Sequence, residues 1–265
     1  MKRLFLLLLL TSFYGIAQQQ YVIEKDIHYY SDSLDKKDIY RDSQCTLDIY
    51  YPKNANNFAT VVWFHGGGLT SGNKEIPTAL LEKGFAVIGV GYRFSPKVKA
   101  PVYIEDAAAA IAWAFQHIGK YGGNTDLIFL SGHSAGGYLT MMVGLDKKYL
   151  SKYSIDANKI AGNIPFSGHT ITHFTVRKEK GMNDIQPLID EYAPLFFARP
   201  DASPLVLITG DPELELLGRY EENAYMWRMM KLAGHKRTTL YKREGWKHCW
   251  MSQTAHGVLC AERSA

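Results

Sequence analysis

Short apolar runs alternate with longer stretches of helical spacing along this chain. Residues 60–64, 85–89, 127–131 and 205–209 are brief runs rich in Val, Ile, Leu and Phe, too short for helices, and predict strands, as do 160–166 and 238–242. Residues 21–30 and 45–51 predict two earlier strands. Between them, 75–83, 103–121, 135–145 and 219–233 predict helices. In 135–145 small residues come first, then Leu139, Met142 and Val143 recur at helical spacing. Strand–helix alternation implies an α/β fold with a mostly parallel central sheet and helices on both faces. In such sheets ligands bind at the carboxyl ends of the strands.

Composition fits one sizeable core. The chain has 265 residues, 46% of them hydrophobic, with no internal repeat and no linker-like run. Residues 1–17 have a basic start at Lys2 and Arg3, an apolar stretch from Leu4 to Leu10 and small residues at Gly15 and Ala17. This is the pattern of a secretory leader, with Gln18 as the first mature residue. The expectation is a single domain over 18–265, exported to the periplasm or beyond and not stably inserted in a membrane. Loss of Lys2 and Arg3 lowers the 30 basic residues to 28 against 26 acidic ones, a net charge of +2. A balance so near neutral gives no reason to expect nucleic acid as a partner. Cys45, Cys249 and Cys260 match no zinc spacing, and an odd count leaves at least one unpaired. No metal is expected.

Two motifs carry the chemistry. GHSAGG at 132–137 contains the G-x-S-x-G pattern, after one predicted strand and before a helix. A serine hydroxyl is a weak nucleophile until a base takes its proton, and it meets that base by protruding from a tight turn. The chain around Ser134 is so close-packed that only glycine fits two positions either side. HGGG at 65–68 follows the predicted strand 60–64. Consecutive glycines can aim backbone N–H groups at an oxyanion with no side chain in the way. His65 itself is expected to brace that turn.

These motifs, in this order, resemble the α/β-hydrolase fold, and within it the esterase/lipase group with an HGGG turn, related to hormone-sensitive lipase and bacterial acetyl-esterases. GYRFSP at 91–96, IED at 104–106 and YGGNTD at 121–126 are similar to further segments of that group. The resemblance runs from about Thr46 to Met251. It implies a serine ester hydrolase without cofactor: Ser134 as nucleophile, and an oxyanion hole from the N–H groups of Gly67, Gly68 and Ala135.

The triad order in this fold is Ser, acid, His. His248 lies six residues past the strand 238–242, after Gly245, where a catalytic base is expected, and His256 is the fallback. His235, at a helix end, reads as a cap. His28, His117, His169 and His173 read as surface or polar-contact residues. The acid lies in GDPELE at 210–215. The resemblance points to Glu213, three residues after the glycine. Asp211 is the alternative, and Glu215 comes third. Activity should fall as pH drops through the range in which histidine titrates.

The resemblance implies small carboxylic esters, often acetyl esters, and export suggests acetylated sugars or polysaccharide fragments. Tyr192, Phe196, Phe197, Trp246 and Trp250 offer a sugar platform, although core packing explains them equally well. Two other readings stay open: an aryl-formamidase-like amidase on the same triad, and a non-catalytic binder on a hydrolase scaffold. One departure from the family stands out. Seventeen residues follow His248, with Cys249 directly after it and few apolar positions from 251 on.

Overall fold

The computed structural model describes residues 19–30, 38–216 and 218–249. The expected leader at 1–17, Trp250, His256 and Cys260 lie outside the described residues. Strands β1 (Tyr21–His28), β2 (Thr46–Pro52), β3 (Phe58–Phe64), β4 (Ala86–Val90), β5 (Gly123–His133), β6 (Gly162–Phe166), β7 (Leu205–Thr209) and β8 (Thr238–Lys242) form one sheet. Their order is β1-β2-β4-β3-β5-β6-β7-β8. β1 pairs antiparallel with β2 and β2 antiparallel with β4, and every later pairing is parallel. The helices are α1 (Ile39–Gln44), α2 (Val102–His117), α3 (Ala135–Leu145), α4 (Lys148–Ser151), α5 (Phe174–Glu179) and α6 (Arg219–Leu232).

β3 is buried along its whole length, as a central parallel strand must be when both faces are covered. Val62 and Phe64 face a core built with Leu130 of β5, Ala107 to Ala110 of α2 and Leu139 of α3. All eleven residues of α3 are buried, so its apolar character runs all round rather than along one stripe. Met226 and Met230 of α6 meet Leu205 and Leu207 of β7 and Met141 of α3. The opposite face carries Val61, Trp63, Val206 and Ile208, against which Leu80, Phe85, Ile76 and Trp246 pack. The sequence predicts helices on both faces. Among the described residues the three long helices share one face, and short segments cover the other.

One of those segments departs from expectation. The helix expected at 75–83 is a single 3-10 turn at Thr78–Leu80. Pro77 accounts for this, because it restricts Ile76 to extended conformations and supplies no N–H. The chain before it lies flat on the sheet: the Glu75 carbonyl is so close to Gly89 that a Cβ there would sit 2.3 Å away. Trp63 Nε1 donates to the Glu75 carboxylate at 3.2 Å.

Two of the recognised segments meet. Arg93, from 91–96, forks onto buried Asp106, from 104–106, through Nε at 2.9 Å and Nη2 at 2.7 Å. Tyr30 Oη donates to the same carboxylate at 2.7 Å. The pair fastens the start of α2 to the chain leaving β4. The carboxyl ends of β3, β5, β6, β7 and β8 then lead to His65, Ser134, Ser167, Gly210 and the loop of His248.

Candidate active site

Ser134 occupies the turn between β5 and α3 with φ 55° and ψ −113°, a conformation costly for any residue but glycine. Its N–H donates to the Phe166 carbonyl at 2.8 Å, which ties the turn to β6. The glycines are required by contact. A Cβ on Gly136 would lie 1.9 Å from the Phe64 carbonyl oxygen, and one on Gly132 would lie 2.6 Å from the Gly136 carbonyl carbon. Ser134 Oγ has no hydrogen bond to a protein group among the described residues, and the residue is 8% exposed.

The glycine turn sits against this elbow, since a Cβ on Gly66 would come within 3.6 Å of Ser134 Cβ. Gly67 and Gly68 have φ of 114° and 65°. The Gly67 carbonyl accepts from Thr70 N and Ser71 N, both at 3.1 Å, which turns that peptide's oxygen away. Ala135, the first residue of α3, has an N–H with no intrahelical acceptor. His65 braces the turn as expected. Its ring stacks on Tyr92 at 4.4 Å, its Nδ1–H donates to the Gly66 carbonyl at 2.6 Å, and its own carbonyl accepts from Tyr92 Oη. Burial holds the imidazole at about 4, so it is neutral in neutral solution.

The acid is where sequence and structure part. Glu215, not Glu213 or Asp211, meets His248, whose Nδ1–H donates to its Oε2 at 2.6 Å. Oε1 accepts from Gly210 N at 2.7 Å and from Ser167 Oγ. Burial alone would raise this carboxyl, but hydrogen bonds from His248, Ser167 and Gly210 outweigh it and hold it at about 2. Glu213 is exposed. Asp211 caps the turn: Oδ1 accepts from Glu213 N at 3.0 Å and Oδ2 from Gly245 N at 2.9 Å. With Pro212 next, Asp211 opens a helical turn closed by Glu215 N on the Asp211 carbonyl at 2.9 Å. That turn carries Glu213 outward and brings Glu215 back over the end of β7. The Asp-Pro pair was the available signal.

Sequence reasoning missed the support for this acid. Arg219, 1% exposed, donates through Nη1 to the Ser167 carbonyl, through Nη2 to His169 Nε2 at 2.7 Å and through Nε to Glu222 at 2.8 Å. The other Glu222 oxygen accepts from Thr170 N and Ile171 N. Burial drives the His169 and His173 imidazoles well below their ordinary range. Both are buried rather than at the surface, and both make polar contacts, His169 with Arg219 and His173 with Thr175 N. His235 is buried too, and bridges Thr238 Oγ1 and the Ala202 carbonyl. His133, the variable residue of the elbow, was also passed over. Its Nε2–H donates to the His248 carbonyl at 2.9 Å.

A cavity of about 730 Å³ is walled by Ile171, Phe174, Ile185, Leu216 and Tyr225 with Arg177 among them. Phe174 adjoins Gly68. Among the described residues the aromatic platform does not assemble. Trp246 packs under one face of the sheet, whereas Tyr192 and Phe197 pack under the other. Cys45 is buried and Cys249 exposed, both as free thiols. Among the described residues no helix is long and apolar enough to cross a membrane, and no cluster has the makings of a metal site.

Comparison with known proteins agrees with the fold. The protein named "Probable carboxylic ester hydrolase LipM" of Mycobacterium tuberculosis is 31% identical over 174 residues, 58% of this chain and 39% of LipM. The acetyl esterase of Salmonella paratyphi B is 31% identical over 105 residues, 38% of this chain and 32% of the relative. The chain thus spans well under half the length of these relatives. A solved carbohydrate esterase from gut microbiota, in truncated form, superposes with a TM-score of 0.74 at 18% identity, covering 94% of this chain and 98% of that one. Esterase B of Lactobacillus rhamnosis follows with a TM-score of 0.72 at 20% identity, covering 92% of this chain and 86% of the other. The family model BD-FAE matches residues 47–232, and this chain is a member of that α/β-hydrolase family.

Proposed function

We propose that the chain is a serine carboxylic-ester hydrolase whose triad is Ser134, His248 and Glu215. The observation that carries this reading is the His248–Glu215 bond beside the Ser134 elbow, with the glycine turn facing it. His248 Nε2 takes the Ser134 proton as Oγ attacks the ester carbonyl. Gly67, Gly68 and Ala135 N–H groups hold the resulting oxyanion, each such donor contributing about 3 kcal/mol. The tetrahedral intermediate collapses, His248 returns the proton to the leaving alkoxide, and the acyl group stays on Oγ. Water, activated by the same histidine, then releases the acid. Glu215 stays ionised, holds Nδ1–H and stabilises the imidazolium. Ser134 and His248 share no hydrogen bond in the free enzyme, and such bonds commonly tighten only when substrate is bound.

The proposed substrates are acetyl esters of sugars or polysaccharide fragments. The relatives named acetyl esterase and carbohydrate esterase support this reading. The leader at 1–17 supports export as the route to such substrates. The test is hydrolysis of 4-nitrophenyl acetate, butyrate and decanoate, then of acetylated xylan, beside Ser134→Ala. Acetate turnover lost in the variant is expected. Turnover unchanged in Ser134→Ala would sink the triad, and preference for decanoate would sink the acetyl assignment. N-terminal sequencing of the exported protein should begin at Gln18.

A further inference from the structure

We propose that His133 is a positioning residue, whose Nε2–H grips the main-chain carbonyl of His248 and so sets the orientation of that imidazole toward Ser134. The inference rests on the triad reading above and adds a residue to which neither motif assigns a task.

The two ends of this bond differ in rigidity. His133 is the last residue of β5, an inner strand held on both sides, and pairs with Phe166 of β6. His248 lies on a loop six residues beyond β8, the outermost strand, and the loop turns at Gly245 with φ 73°. The Glu215 bond fixes one ring atom of His248. A ring held through one atom can still pivot about it unless the main chain that carries it is held as well. Asp211 restrains that backbone at Gly245 and Trp246. His133 restrains it at His248 itself, at 2.9 Å. Glu215 and His133 thus hold the base from its ring and from its main chain.

The chemistry fixes the tautomer. A carbonyl oxygen only accepts, so His133 carries its proton on Nε2. The two rings lie 4.7 Å apart at 43°. Burial, with His248 nearby, holds His133 at about 4. At neutral pH it therefore adds no second cation beside the imidazolium that forms in turnover. An aspartate there would meet the His248 carbonyl without a donor, and a lysine would bring a permanent charge.

The test compares His133→Leu with His133→Gln. Leucine fills the volume without a donor, while glutamine places an amide N–H at a similar reach. Two readouts are taken on full-length protein: kcat and KM for 4-nitrophenyl acetate, and the low-field proton resonance of His248 Nδ1–H against Glu215. In His133→Leu kcat should fall about tenfold with KM within about twofold, as expected for loss of one hydrogen bond that positions the base. The low-field resonance should broaden or vanish. His133→Gln should restore both. Should His133→Leu not fold, His133→Asn, whose amide stops short of the His248 carbonyl, takes its place. Wild-type kcat and an unchanged resonance in the donor-less variant would overturn the inference. So would equal losses in the Leu and Gln variants. The resonance needs no turnover, so failure of the esterase reading and failure of this one remain distinguishable.

Discussion

The two sides of the proposed site, that of Ser134 and that of His248 and Glu215, are built by different means. Ser134 and the glycine turn grow out of β5 and β3, adjacent inner strands, and are held by backbone contacts so close that side chains are excluded. His248 and Glu215 stand on turns after β8 and β7, at one edge of the sheet. They are held by side-chain hydrogen bonds: Ser167 and Gly210 on the acid, Asp211 on the loop, His133 on the base. Backbone crowding selects residue types at fixed spacing, and that leaves a motif. A side-chain network can be satisfied from several positions, and that leaves none.

The largest expected effect lies on the crowded side. Gly136→Ala would drive a Cβ to 1.9 Å from the Phe64 carbonyl in a fully buried helix, where nothing nearby can yield. The expected outcome is loss of the folded protein, seen as missing soluble product or a collapsed thermal transition. A stable Gly136→Ala variant would mean that the elbow tolerates movement, and the contrast with the loop side would weaken.

Next comes the acid. Glu215→Gln keeps size and most packing but removes the charge opposite Nδ1–H. By analogy with other triads kcat should fall roughly 10³- to 10⁴-fold. Glu213→Gln should stay within about twofold, because that side chain is exposed. Asp211→Asn should cost less than about tenfold, through the loop alone. The same loss in Glu213→Gln as in Glu215→Gln would reverse the assignment.

That assignment also marks how far the sequence was legible. The helix at Ala135–Leu145 and the strands at Leu205–Thr209 and Thr238–Lys242 stand where the apolar pattern places them. The stretch 75–83 reads as helical by spacing, yet Pro77 and the sheet surface keep it extended on either side of one turn. Ser134 and the glycine turn are visible as motifs because their backbone tolerates so few residues. Among 211, 213 and 215, three carboxylates within five positions, only the helical turn opened by Asp211 and Pro212 decides which one faces inward. His169, His173, Arg219 and Glu222 form a buried polar network with no fixed spacing, so only the fold brings them together.

A third expectation concerns acid stability. Glu215 is held at about 2 against an ordinary 4.5, so the unfolded chain binds the proton first as pH falls. Its contribution is complete above about 4.5 and is lost as pH falls toward 2. His133 is held at about 4 against 6.5, and again the unfolded chain binds the proton first. Its contribution is lost as pH falls from about 6.5 toward 4. His65 is held in the same range and His169 and His173 lower still, so urea unfolding between pH 7 and 3 should show stability declining in two overlapping stages, the upper shared by these buried imidazoles and the lower from Glu215. Glu215→Gln should remove the lower stage and leave the upper one. A flat profile to pH 4 would mean that these buried imidazoles, His133 among them, are not held neutral by burial.

The smallest effect probes the link between the regions. Ser167 follows β6, whose Phe166 carbonyl accepts from Ser134 N, and its Oγ donates to Glu215. It is therefore the point at which the backbone-built half hands over to the side-chain-built half. Its φ is 47°, and Arg219 holds its carbonyl from the other side, so the turn should survive truncation of the side chain. Ser167→Ala then removes one donor from a carboxylate that keeps Gly210 N and His248. The carboxyl should rise from about 2 toward its ordinary range while remaining ionised at neutral pH. At pH 8 kcat should fall only about two- to fivefold, about the effect of one partly replaceable hydrogen bond. Near pH 4 the ratio of variant to wild type should shrink further, because the variant acid begins to protonate where the native one does not. A ratio constant across pH would mean that Ser167 acts through packing alone, and the acid's charge would then depend on Gly210 and His248.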